Sequence, residues 1–355
     1  MKLINYLLIA LVFISSCKED EESAPSLAKD YGSGIYIATD NGVSFYKNGV
    51  LSSNIFQKVN DITLRNVNKI KFQGDKAYIA TEKSLFSTNI ETFEMTGEAS
   101  SFTNLVDFDF VFSGRIFAVD RDDAKVKVVD MGFMEIIGEI EVGDSTKPVF
   151  IISNSSKSFI MNGGGNYEKI KDSTIVVIKH RDRLVALADF DGSLFVGDNP
   201  NSAVLLSNGE LKGLSQGIYD SINSINNTES SFFSLDQYNN DVYNIIALTG
   251  IYNASNLISD GNIYYFIAEK GVYSMSASGL EDLILPVVSD VLHFDNEEYS
   301  VYNPADSTTT YFTRNVLYIN DSENSKNTIY KYNMDIGSYI DTIVIDSPVK
   351  DIASY

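Results

Sequence analysis

The residues able to do chemistry in this chain of 355 residues are few and scattered. Its two histidines, His180 and His293, lie far apart and in no recognisable motif, which leaves little for His-based acid–base work or a multi-His metal centre. Both fall where connections between structural units are expected, so a surface setting is the ordinary reading. Carboxylates come close together at Asp120, Asp122 and Asp123, and at Asp189 and Asp191. Alternate carboxylates can hold Ca²⁺, but that ion takes about six to eight oxygens, and both sets have the setting of solvated hairpin turns. No metal and no cofactor are expected. Asp107, Asp290 and Glu297 are the carboxylates from which a metal-dependent, lactonase-like centre would have to draw. There is no Gly-x-Ser-x-Gly elbow, phosphate loop or His-Glu-x-x-His, and Gly163-Gly164-Gly165 is not followed by Lys-Ser/Thr. The reading is therefore not an enzyme. What remains is Tyr and Asn in turn-like segments: Tyr167, Asn199, Asn201, Tyr219, Tyr252 and Asn253. Tyr offers an apolar face with a polar tip and Asn both donates and accepts, chemistry that suits a flat or amphipathic small molecule.

The elements that must position these residues are strands. Hydrophobic residues make up 44% and charged residues 21%, a globular composition, and the formal charge of −21 argues against a nucleic-acid partner. Trp is absent, yet Tyr and Phe number 21 each, as β-rich chains favour. Ile35–Thr39, then Asp40-Asn41-Gly42, then Val43–Tyr46 reads as strand, tight turn, strand. Ala77–Phe86 and Ile263–Met275 repeat the pattern, with similar pairs at Arg115–Val129, Ser158–Ile178 and Asn315–Tyr332. Another short apolar strand precedes each pair: Lys69–Phe72, Asp107–Val111, Val149–Ile152, Ser202–Leu206, Ala254–Ile258 and Tyr299–Tyr302. These recur roughly every 40–50 residues, and such a period with about four strands per unit is that of a β-propeller. The chain's first pair has no strand before it, while Val349–Ala353 is a first strand with nothing after it. One blade built from both chain ends resolves both gaps and removes two exposed sheet edges. The fold class is all-β, a seven-bladed β-propeller occupying 31–355, its ring closed by the C-terminal strand joining the N-terminal blade.

In a propeller, loops joining second to third strands emerge on the same face as the links between blades. The longest such loops are Gly163–Asp172, Ile218–Ser231 and Ser322–Thr328, beside links around Lys147, Asn199–Asn201, Tyr252-Asn253 and Glu297-Glu298. Loops on a rigid scaffold are where binding residues concentrate, so this face is expected to form a ligand mouth that includes Tyr167, Asn199, Asn201, Tyr219, Tyr252 and Asn253.

The N-terminus is an address. Met1-Lys2 is followed by the apolar run Leu7–Ile14, too short to span a bilayer and suited to a signal peptide. Ile14-Ser15-Ser16-Cys17 resembles the lipobox of bacterial lipoproteins, which implies a signal peptide over 1–16 and a lipidated Cys17. Lys18-Glu19-Asp20-Glu21-Glu22 and the stretch to residue 30 form a solvated tether, and the acidic run is similar to the export tag of Bacteroidetes surface lipoproteins. Ile140-Glu141-Val142-Gly143-Asp144 with Lys147-Pro148, and Phe195-Val196-Gly197-Asp198-Asn199-Pro200, resemble the step between blades in YncE-like (YVTN-type) propellers. The resemblance runs over about 105–355 and departs at Gly213, where such propellers carry a large residue. It implies a lipid-anchored propeller of the outer membrane, facing the cell exterior. Some members of that family capture cobalamin for a TonB-dependent transporter; the other reading is a structural or protein-interaction propeller without a small-molecule ligand. Cys17→Ala is expected to move the protein from the membrane fraction to the soluble fraction on cell fractionation, and continued anchoring would overturn the lipoprotein reading.

Overall fold

A computed structural model of the chain describes residues 30–355 except 113, 143–145, 164–171, 181–188, 221, 223, 277–278, 280, 306 and 324–326. Strands β1–β28, numbered in chain order, form seven four-stranded antiparallel sheets. The first blade runs from the inside outward as β28 (Val349–Ser354), β1 (Ile35–Thr39), β2 (Gly42–Lys47) and β3 (Val50–Ser52). The next six blades take four consecutive strands each, and their inner strands are β4 (Val67–Gln73), β8 (Leu105–Val111), β12 (Phe150–Ser153), β16 (Pro200–Leu205), β20 (Ser255–Ser259) and β24 (Leu292–Asn303). Consecutive inner strands touch around the ring, β24 reaching β28 and β28 reaching β4.

The closing blade is the one expected. β28 pairs with β1 from Ile35↔Ser354 to Thr39↔Val349, and Gly34 and Tyr355 exchange both backbone hydrogen bonds at 3.1 Å. Tyr299–Tyr302 is a correction: the inner strand of the seventh blade begins at Leu292, and Tyr299–Tyr302 lies beyond the body of the blade. Its aromatic alternation resembles a first strand, but the third strand β26 (Thr328–Asn333) pairs only with the part of β25 (Thr308–Asp321) from Val316 onward. A short helix not anticipated from the sequence, α1 (Ile55–Asn60), lies in the link between the first two blades. It buries Ile55 and Phe56 and is flanked by Asn54 and Asp61, both at positive φ.

The core is seven wedges, one between each pair of neighbouring blades. On β1, Tyr36 and Ala38 enter the wedge with the second blade while Ile35 and Ile37 enter the wedge with the seventh. Period two places alternate residues on opposite faces of a sheet, and in a propeller both faces are covered. All five residues of β1 are therefore buried, whereas the outer strand β11 (Glu135–Glu141) alternates between exposed and covered positions. Gly213, on β17 (Glu210–Ser215), sits opposite Phe233 on β18 (Ser231–Asp236), and a Cβ there would lie 2.0 Å from the Phe233 ring. The neighbour supplies the bulk that the glycine lacks. Removing Val349–Tyr355 leaves β1 with an open inner edge and is expected to lower the thermal midpoint of the whole domain, and Gly213→Val to cost about 1–3 kcal/mol by overpacking. Unchanged thermal unfolding of the truncated chain would contradict closure.

Candidate functional site

Each inner strand begins at the face where the links between blades emerge, and many begin irregularly. Asn68, Val106, Asn201 and Lys350 are the extra residues at bulges in β4, β8, β16 and β28, and β20 is shifted at Asn256-Leu257. A bulge re-aims its side chain, here sideways toward the next blade. Asn68 Nδ2 donates to Leu105 O (2.7 Å), Asn201 Nδ2 to Ala254 O (2.8 Å) and Asn256 Nδ2 to Asp290 O (2.8 Å). The residue after the bulge takes the opposite role. Asp351 accepts from Ile70 N (3.0 Å), Asp107 from Ile151 N (3.0 Å) and Ser202 Oγ from Leu257 N (3.0 Å). Asp109 accepts from Ser153 N at 2.6 Å in the same manner.

These side chains line a channel of about 510 Å³ to which all seven inner strands contribute. Its charges are paired: Lys69 with Asp351 at 2.9 Å and Lys71 with Asp107 at 3.0 Å. Burial alone would lower the pKa of Lys69, but Asp351 and Asp107 outweigh it and the ammonium titrates above its ordinary value. Burial raises the Asp109 carboxyl, only partly offset by Lys71. His293 corrects the surface expectation. It lies on β24 in the channel wall, its Nε2 3.2 Å from Ser354 Oγ. Burial, aided by Lys69 and opposed by Asp295, holds its pKa down to about 4 from 6.5. His180, just after β14 (Thr174–Lys179), is hydrogen-bonded to Ser158 Oγ (2.8 Å), and burial lowers its pKa too.

The expected mouth residues gather over the fifth and sixth blades, with Tyr167 outside the described residues. The loop from Gln216 to Ser230 organises them. Asn199, at φ 54 in the link before β16, accepts at its carbonyl from Gln216 N (2.8 Å) and donates from Nδ2 to Gly217 O (3.1 Å). Asn253 N donates to Gln216 O (3.1 Å). An isolated bridge joins Ile218 and Thr228, and Asp198 accepts from both Thr228 Oγ1 and Ser173 Oγ at 2.8 Å, tying the loop to the fourth blade. On this base the rings of Tyr219 and Tyr252 meet at 5.3 Å, and Ile222 and Ile225 stand exposed at the loop tip. Asn201 belongs to the ring of blade-to-blade contacts, and its Oδ1 accepts from Ser202 Oγ (2.8 Å). The Oδ1 atoms of Asn199 and Asn253 are buried with no protein partner.

Two further placements differ from the sequence reading. Glu297 and Glu298 lie on β24 away from the mouth, and Glu297 is held by Arg314 (2.7 Å) and Lys331 (2.8 Å). It does not converge with Asp107 or Asp290. Asp120 is fully buried, not solvated: it accepts from Thr103 N and Asn104 N at 2.7 Å and pairs with Lys127 at 2.8 Å. Asp122 and Asp123 keep turn-like settings, Asp122 bonded to Lys147 (3.1 Å). The side chains of Asp189 and Asp191 lie outside the described residues. Among the described residues no set of three or more His, Cys, Asp or Glu side chains is arranged to hold a metal ion, and no helix is long and apolar enough to cross a membrane.

No protein-family model matches the chain, and no curated protein does. Solved structures do resemble it. A putative 6-phosphogluconolactonase from Bacteroides fragilis NCTC 9343 is 11% identical over 92% of this chain and 98% of that one, with a TM-score of 0.62. Hydrazine synthase from Kuenenia stuttgartiensis is 15% identical over 81% and 88%, at 0.59, and apo AztD from Citrobacter koseri 10% over 90% and 96%, at 0.51. At such identities the likeness is one of fold.

The depressed pKa of His293 gives a pH dependence with a definite sign. The unfolded chain binds this proton at about pH 6.5 and the folded chain only at about 4, so stability is fully present above 6.5 and falls as pH drops through that window. His293→Asn is expected to remove this part of the decline in thermal midpoint between pH 7 and pH 4; identical profiles for both proteins would refute it.

Proposed function

We propose that this chain is a lipid-anchored, surface-exposed propeller of the YncE-like kind that captures a small amphipathic molecule at its loop-rich mouth. The molecule would then pass to a TonB-dependent outer-membrane transporter, and a cobalamin-like ligand is the one favoured by the resemblance. The observation that carries the reading is the gathering of Tyr219, Tyr252 and Asn253 by one loop, in a ring whose central channel holds about 510 Å³. That volume lies within the range of roughly 300–1,000 Å³ typical of ligand sites. A corrin macrocycle is broad and would rest on the mouth against the tyrosine rings, with only an amide arm entering the channel. The protein-interaction reading keeps one specific support, the exposure of Ile222 (85%) and Ile225 (92%) at the tip of the same loop.

Calorimetric titration of the protein with cobalamin and related corrinoids separates the two. Saturable heat is expected, with Tyr219→Ala and Tyr252→Ala each weakening binding about tenfold, the order of one lost aromatic contact. Absence of heat together with absence of a thermal shift would remove this ligand and favour docking of a protein partner.

A further inference from the structure

The seventh blade carries an extension unlike any other described element. β24 and β25 span 12 and 14 residues and pair continuously from Leu292↔Ile319 to Asn303↔Thr308. The third strand stops at Val316, so the ladder from Glu297↔Arg314 outward is a free two-stranded ribbon. At about 3.4 Å per residue it projects roughly 20 Å from the body. Its root is fixed by Glu297 bonded to Arg314 and Lys331, with the Arg314 guanidinium 4.9 Å from the Tyr299 ring.

An isolated ribbon of this length is marginal in water. This one exposes Tyr299 (36%), Val301 (50%), Tyr302 (60%), Tyr311 (76%) and Phe312 (44%). Alternation puts Tyr299, Val301 and Phe312 on one side, where Tyr299 and Phe312 stack at 5.4 Å, and Tyr302 and Tyr311 on the other. From Glu298 to Thr313 the only charged residues are Glu298 and Asp306. A groove on a protein covers one side of a ribbon. Aromatic side chains on both sides suit a medium that surrounds it.

The chain enters the ring on the face from which the ribbon leaves. Gly34 pairs with Tyr355, Tyr31 N bonds Glu91 O in a third-to-fourth-strand turn, and a cleft of about 330 Å³ is bounded by both Ser33-Gly34 and the ribbon root Asp295–Glu298. The tether from Cys17 to Asp30 reaches at most roughly 45 Å, so a lipid on Cys17 would hold this face within range of a bilayer.

We infer that the ribbon is a second membrane contact, its Tyr/Phe tip seated in the headgroup layer of the bilayer that holds the anchor. Aromatic side chains with polar tips belong at that depth. The open edges of the ribbon keep it there, because unpaired N–H and C=O groups are not tolerated in hydrocarbon. Two contacts on one face hold the mouth pointing away from the membrane. The inference rests on the lipoprotein reading for the side on which the bilayer lies.

The chain has no tryptophan, so one introduced indole reports its own site. Full-length Tyr311→Trp protein, reconstituted in phosphatidylcholine vesicles, should show blue-shifted emission and quenching by brominated lipid at least about twofold stronger than Ile225→Trp on the mouth loop. In the Cys17→Ser background the ribbon alone should be too weak to hold the protein in the membrane fraction, yet an excess of added vesicles should still shift Tyr311→Trp emission. Replacing Tyr299, Tyr302, Tyr311 and Phe312 together by Ser should weaken vesicle association about tenfold, with the thermal midpoint held as the check on folding. If Cys17 anchors the protein while Tyr311→Trp stays water-like, the ribbon inference fails and the lipoprotein reading survives. A blue shift that needs no vesicles and accompanies a doubled mass in light scattering would make the ribbon a contact between copies, and would equally overturn the inference.

Discussion

Seven sheets meet edge-on around the channel, and each inner strand presents there a row of backbone groups that no further strand can pair. Left unpaired, such groups cost about 1–3 kcal/mol each. Side chains of one blade take them up for the next: Asp351 for Ile70, Asp107 for Ile151, Asp109 for Ser153 and Ser202 for Leu257. The amides of Asn68, Asn201 and Asn256 cap carbonyls in the same direction around the ring. Blade packing, channel chemistry and the position of the mouth all depend on this lateral bonding.

One consequence is that the charged residues of the channel are already engaged. Asp107, Asp109 and Asp351 hold backbone N–H groups, and Lys69 and Lys71 neutralise two of them. The wall is polar, with Asp107 and Asp109 on β8 and Asp351 on β28. What projects from the ring is the Gln216–Ser230 loop on one face and the Glu297–Arg314 ribbon on the other. The two projections differ: the loop presents one aromatic pair, Tyr219 with Tyr252, and the ribbon presents aromatics on both sides.

The fold was legible because strand periodicity and spacing are local properties. Ile35–Thr39 and Ile263–Ala268 read as strands from their own residues, and the unpaired Val349–Ala353 named its partner by elimination. The gathering of Asn199, Tyr219, Tyr252 and Asn253 around one loop was legible too, since loops follow from blade topology. The misreadings have one source. Tyr299–Tyr302 alternates like an inner strand, and whether such a segment is packed or free depends on a third strand some 30 residues later. Asp120 and His293 read as exposed in the sequence for the same reason: burial depends on neighbours remote in the chain.

The sequence by itself determined the all-β class, the seven units and the closure by the chain's end, because alternation and turn residues act within a few positions. Only the tertiary structure decided what the polar residues do. Asn201 and Asn253 look alike in the sequence, yet one caps a carbonyl of the next blade and the other leaves its Oδ1 without a protein partner. The difference lies in where a bulge aims the side chain and which backbone group waits there, and that depends on how seven separately formed sheets come to stand beside one another.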